Sequence, residues 1–98
     1  MFDGRFELPL AAAISKVQKA QNLAQAKRLD EALRETQAAV ALAPDAIQTQ
    51  LALGDVLNEM GQREQARTCY QKALELAKRI EPEFQIRSIP SIEQRLAQ

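Results

Sequence analysis

From Pro9 onward the apolar residues recur at three- and four-residue steps, the period of an amphipathic helix. Ile14, Val17, Ala20, Leu23 and Ala24 make the first stripe, with Pro9 suited to a first helical turn and Lys27 and Arg28 at the end the helix dipole leaves negative. Leu29, Ala32, Leu33, Thr36, Ala39, Val40 and Ala43 make a second, with Asp30 and Glu31 near its start and Pro44 ending it. A third helix is predicted from an N-cap at Asp45 to a left-handed Gly61, with Ile47, Leu51, Leu53, Gly54, Leu57 and Met60 on its apolar face. The fourth starts near Arg63 and carries Ala66, Tyr70, Ala73, Leu74 and Ala77, then Ile80. After Pro82 the pattern of Phe84, Ile86, Ile89, Ile92 and Leu96 is interrupted by Ser88 and Pro90. That predicts a short helix or irregular turn and then a short helix from Ser91. Ahead of the first helix, Phe2, Phe6 and Leu8 fall at even spacing around Gly4, which predicts an extended apolar strip that packs on something. No segment alternates as a strand does, so the fold class is all-α.

Helix pairs invite a search for repeats. Shifting the chain by 34 residues superposes Leu23 on Leu57, Ala32 on Ala66, Gln37 on Gln71, Ala39 on Ala73, Leu42 on Leu76 and Ala43 on Ala77. The unit from Ile47 to Ile80 resembles a tetratricopeptide repeat. Leu53 and Gly54 match the family's Leu-Gly pair, Gly61 its turn glycine, and Ala66, Tyr70 and Ala73 its small–aromatic–small pattern. The earlier unit, Ala13 to Ala46, is more degenerate: Ala20 replaces the glycine, Lys27 the turn glycine and Thr36 the aromatic, while Ala32, Ala39 and Pro44 still match. Lys16 and Gln50 stand where the family often has Trp, and Lys78 where it closes with Pro. The resemblance implies an antiparallel helix-pair solenoid with an extended strip over 1–8, repeats over 9–46 and 47–80, and a capping tail over 81–98. It also implies packing roles for Ala20, Ala32, Ala39, Gly54, Gly61, Ala66, Tyr70 and Ala73.

Composition narrows the function. Thirteen basic and thirteen acidic residues cancel in a chain of 98, without a like-charged block, so neither a nucleic-acid footprint nor a basic membrane-surface helix is present. The sequence holds no His and one cysteine, which removes an internal disulfide, a thiolate cluster and the commonest general base. The longest apolar run, Leu8 to Ile14, is too short to cross a bilayer, and the first residues do not resemble a signal peptide. The expectation is a cytoplasmic, non-enzymatic domain with no cofactor, no metal, no nucleic-acid partner and no direct membrane insertion.

The resemblance further implies that the first helix of each pair lines a concave face that holds a protein or peptide. The family's contact positions fall on Val17, Gln21, Gln25, Gln48, Leu51, Asp55, Asn58 and Glu59, with Ile14 and Ala24 beside them. Such a groove is polar, amide-rich and mildly acidic, suited to polar or basic side chains. The Lys/Asn clamp that some members use for a C-terminal carboxylate is missing, because Val17, Gln21 and Ala52 occupy its positions. Cys69 lacks a His partner and reads as a small packing residue; Tyr70 reads as the wedge between repeats, and Asp55 with Glu59 as a solvated carboxylate pair. Two repeats bury too little surface alone. Hence two alternatives stand beside the interaction scaffold: an accessory segment of a larger enzyme or membrane protein, and a homodimer associating through exposed Ile86, Ile89 and Ile92.

Overall fold

The helix ends follow from backbone turns that two consecutive units build in the same way. In the computed structural model, which describes residues 8–80 and 82–97, the helices are α1 Leu8–Gln25, α2 Leu29–Leu42, α3 Ile47–Glu59, α4 Arg63–Ala77 and α5 Pro82–Ala97. At the end of α1 the Lys27 amide donates to the carbonyl of Ala24 at 3.0 Å and the Arg28 amide to that of Leu23 at 2.9 Å. At the end of α3 the amides of Gly61 and Gln62 donate to Asn58 at 3.0 Å and Leu57 at 2.9 Å. These are the same bonds shifted by one repeat, the pattern of a helix closed by a left-handed residue. Gly61 has φ +83° and Lys27 φ +65°. The first turn therefore keeps its shape without its glycine, at a cost of about 1–2 kcal/mol for a residue with a Cβ. Gly61 is exposed, and a Cβ built there meets nothing within 4 Å. Its role is conformational, not the packing role expected from the repeat.

Between α2 and α3 the expected cap at Asp45 is absent. The N-cap position is Ala46, and it makes no side-chain bond. The carbonyls of this turn are satisfied from inside α3 instead. The Thr49 hydroxyl donates towards Ala43 at 2.7 Å and Ala46 at 2.9 Å, and the Gln50 amide donates to Pro44 at 3.0 Å. Both side chains are buried, which is tolerated because each is bonded.

Short connections force neighbouring helices antiparallel, so α1 and α3 run in the same direction and touch. Helix α3 lies between α1 and α2 on one side and α4 on the other, and it is buried on both. Ala52 packs with Ala13, Val17 and Ala39, and Val56 with Ala20 and Ala32. Leu57 joins Ala66, Cys69, Tyr70, Ala73, Ala77 and Ile92. A single apolar stripe on α3 therefore described only half of its contacts. Alanine at so many crossings lets helix backbones come close, and each methyl is a small increment of burial.

Gly54 marks the closest approach. A Cβ built there would lie 2.5 Å from Cε1 of Tyr70 and 2.8 Å from its Cδ1, well inside contact distance. One repeat earlier the same two positions hold Ala20 and Thr36, both buried, so the larger residue on one helix is matched by a smaller one on the other.

The tail departs most from expectation. Instead of a break at Ser88 and Pro90 followed by a short helix, α5 runs continuously for 16 residues with Pro90 inside it. An internal proline costs about 3 kcal/mol, and packing on α4 offsets it. Ile92 is fully buried, with Ile89 and Leu96 against the same cluster, and Arg67 of α4 donates to the Leu96 carbonyl at 2.9 Å. The expected exposure of Ile92 for dimerisation is therefore wrong: α4 already covers it. The side chains of Phe84 and Ile86, and the strip before Leu8, lie outside the described residues. Leu8 itself opens α1.

Three substitutions test the turn and the close crossing. Lys27→Gly is expected to raise stability by about 0.5–1 kcal/mol, since glycine enters the left-handed region freely; urea unfolding measures it. Gly54→Ala is expected to lower stability by about 2 kcal/mol, overpacking of up to about 3 kcal/mol outweighing a helix-propensity gain of about 1 kcal/mol. Tyr70→Thr added to Gly54→Ala reproduces the first repeat's pair, and a double-mutant cycle in urea should show the two changes coupled and not additive.

Candidate protein-binding surface

Because α1 and α3 are neighbours running in one direction, equivalent turns of the two repeats lie side by side. At their C-terminal ends Gln21, Ala24 and Gln25 of α1 face Asp55 and Glu59 of α3 across a cleft of about 440 Å³. Its floor is Ala20, Thr36, Ala52 and Val56, and Lys27 stands at its end. At their N-terminal ends a wider, more apolar basin of about 820 Å³ is bounded by Leu10, Ile47, Gln48 and Leu51, by Leu76 of α4 and Ile80 beyond its end, and by Ser88 and Ser91 of α5.

These positions divide the residues expected to line one groove. Gln21, Gln25, Asp55 and Glu59 share the cleft; Gln48 and Leu51 line the basin; exposed Asn58 borders neither. Val17 is corrected outright. It is 7% exposed and packs with Ala13, Ala39 and Ala52, on the side of α1 that faces its neighbours. Lys16 and Lys19 both reach Glu35 of α2, at 3.7 and 3.4 Å, away from the cleft.

Asp55 is not the free carboxylate that a solvated pair would supply. Its Oδ1 accepts from the Tyr70 hydroxyl at 2.6 Å and from Arg95 Nε at 2.9 Å, and its Oδ2 accepts from Arg95 Nη2 at 3.2 Å. Ser91 Oγ, one turn back on α5, fixes the same guanidinium at 2.7 Å. The fork geometry makes this a bidentate, charge-assisted pair. It joins α3, α4 and α5 at one point. Sequence reasoning missed it because Arg95 lies beyond the repeats and no local spacing links it to Asp55. Burial, then the bond to Asp55, pushes the Tyr70 hydroxyl above its ordinary value, so it remains a proton donor. Glu59 is exposed and makes no ion pair among the described residues.

Cys69 is buried, and burial raises its thiol above the ordinary value despite the opposing charge of Lys72. A buried, protonated thiol is a poor nucleophile. No set of three His, Cys, Asp or Glu among the described residues is placed to hold a metal ion. No described helix is long and apolar enough to cross a membrane.

Stacked antiparallel helix pairs, closed by equivalent turns and sharing one open side, define a helical-repeat interaction module. A family model of the tetratricopeptide repeat-like domain matches residues 9–89, and the chain belongs to that family. The match covers both repeats and the first half of α5. Domains of this kind generally mediate protein–protein interactions and are typically scaffolds. No curated protein matches the chain.

Arg95→Gln tests the junction. Because the pair is partly exposed, its loss is expected to lower stability by about 1 kcal/mol or less. Ile92 shares the Cys69 cluster, so loosening α5 should speed reaction of Cys69 with a thiol reagent about fivefold. An unchanged rate means that the pair does not hold α5 in place.

Proposed function

We propose that the chain is a non-enzymatic scaffold that receives an extended peptide of a partner protein along the open side of α1 and α3. The carrying observation is the cleft, where polar side chains from two consecutive repeats meet over a floor of small residues. Gln21 and Gln25 offer both donors and acceptors to a peptide backbone or to polar side chains. Glu59 is exposed and without an ion pair among the described residues, and it favours a basic side chain on the partner. Asp55 contributes less free charge, because Arg95 already shares its carboxylate. The result is a mildly acidic, amide-rich surface whose selectivity comes from a few rim groups; charge there acts mainly on specificity and association rate.

Selection from a displayed peptide library is expected to enrich peptides with a basic residue. Glu59→Lys should weaken those peptides about tenfold, with the melting temperature unchanged, since a reversed rim charge alters recognition and not packing. Asp55 is a poor choice for this test because changing it also releases α5. Selected peptides indifferent to Glu59→Lys would sink the proposed reading.

A further inference from the structure

The two repeats meet the same packing problem with different residues, and the difference leaves a hole. In the second repeat the Tyr70 ring lies against Gly54 and its hydroxyl reaches Asp55. One repeat earlier the equivalent positions are Thr36, Ala20 and Gln21. Thr36 is fully buried, and its hydroxyl turns back to its own helix, donating towards the carbonyls of Leu33 at 2.9 Å and Ala32 at 3.1 Å. It sends nothing between α1 and α3. The cleft of about 440 Å³ over Ala20, Thr36, Ala52 and Val56 is therefore the place an aromatic ring fills in the next repeat.

We propose that this cleft is a receptor for an aromatic side chain of the partner, tyrosine above all, which supplies the wedge that the first repeat lacks. This rests on the reading of the cleft as a partner-binding surface and adds the class of side chain it takes. The second repeat shows what the site accepts. The Tyr70 ring packs against Gly54 of α3, with its hydroxyl at a polar group one position further along. In the first repeat that neighbour is Gln21, whose amide oxygen accepts from a phenol as the Asp55 carboxylate does. The methyl groups of Ala20, Ala52 and Val56 supply apolar contact, and an aromatic side chain gains more from such burial than any other uncharged residue. The cleft volume falls within the range of about 300–1,000 Å³ that small-ligand sites occupy.

The probe is p-cresol, the side chain of tyrosine, titrated into the intact 15N-labelled chain and followed by amide NMR. Saturable shifts centred on Ala20, Thr36, Ala52 and Val56 are expected, with a Kd of roughly 1 mM for so small a ligand. Ala20→Gly with Thr36→Tyr rebuilds the glycine–tyrosine pair inside the first repeat, and it should weaken p-cresol at least tenfold by occupying the site. Ala24→Leu, which fills the same cleft from its half-exposed rim, should also weaken binding and serves if the double variant does not fold. Shifts centred on the basin around Leu10 and Leu51, or no saturation up to about tenfold above that Kd, overturn the proposal, as does undiminished binding in a folded filled variant. If p-cresol fails while selected peptides still depend on Glu59, the aromatic site falls and the peptide-binding reading stands. Binding of p-cresol with no dependence on Glu59 among selected peptides has the opposite meaning.

Discussion

The missing Cβ at Gly54 is the constraint on which the second repeat depends. With only a hydrogen there, the Tyr70 ring can lie against the α3 backbone, and its hydroxyl then arrives 2.6 Å from Asp55. That bond and the Arg95 fork fix both oxygens of one carboxylate between three helices. A polar junction of this kind is half exposed and adds little net stability. Its value is geometric, because a planar guanidinium bonded to both carboxylate oxygens specifies where α5 sits relative to α3. The apolar contacts of Ile92 and Leu96 then supply the burial.

Two repeats leave a helix-pair stack with exposed flanks, and this chain treats the two flanks differently. On the α4 side, α5 covers the face that a third repeat would otherwise cover, running through Pro90 to do so. On the α1 side, Leu10 and Ile14 remain exposed. The same contrast appears within the repeats. Gly54 and Tyr70 close the gap between α3 and α5, while Ala20 and Thr36 leave the gap between α1 and α3 open. The space beside Gly54 is thus filled from within the chain, while the equivalent space beside Ala20 stays open as the cleft between α1 and α3.

Buried polar groups follow the same economy. Thr49 and Gln50 are interior because the turn between α2 and α3 leaves carbonyls that need donors, and α3 brings its own. Gln50 itself serves the Pro44 carbonyl, and Thr49 those of Ala43 and Ala46. Asp55 is diverted in a comparable way. It lines the cleft between α1 and α3, yet most of its hydrogen-bonding capacity is spent inside the chain.

Periodicity and spacing determined the all-α class, the starts of four of the five helices to within two residues and the left-handed turn at Gly61, and Gly54, Ala66, Tyr70 and Ala73 carried the resemblance to a repeat family. Each of these is written locally, in apolar steps along one helix or in a residue type that a turn or close crossing demands. Tertiary structure alone decided the rest. It buried α3 on two sides, drew Val17 into the core, kept α5 helical through Pro90, and gave Asp55 a partner 40 residues away. Those outcomes depend on what lies across from a side chain, and an amphipathic stripe records only that a residue faces something. Whether that something is solvent, a neighbouring helix or a partner is set when the helices pack.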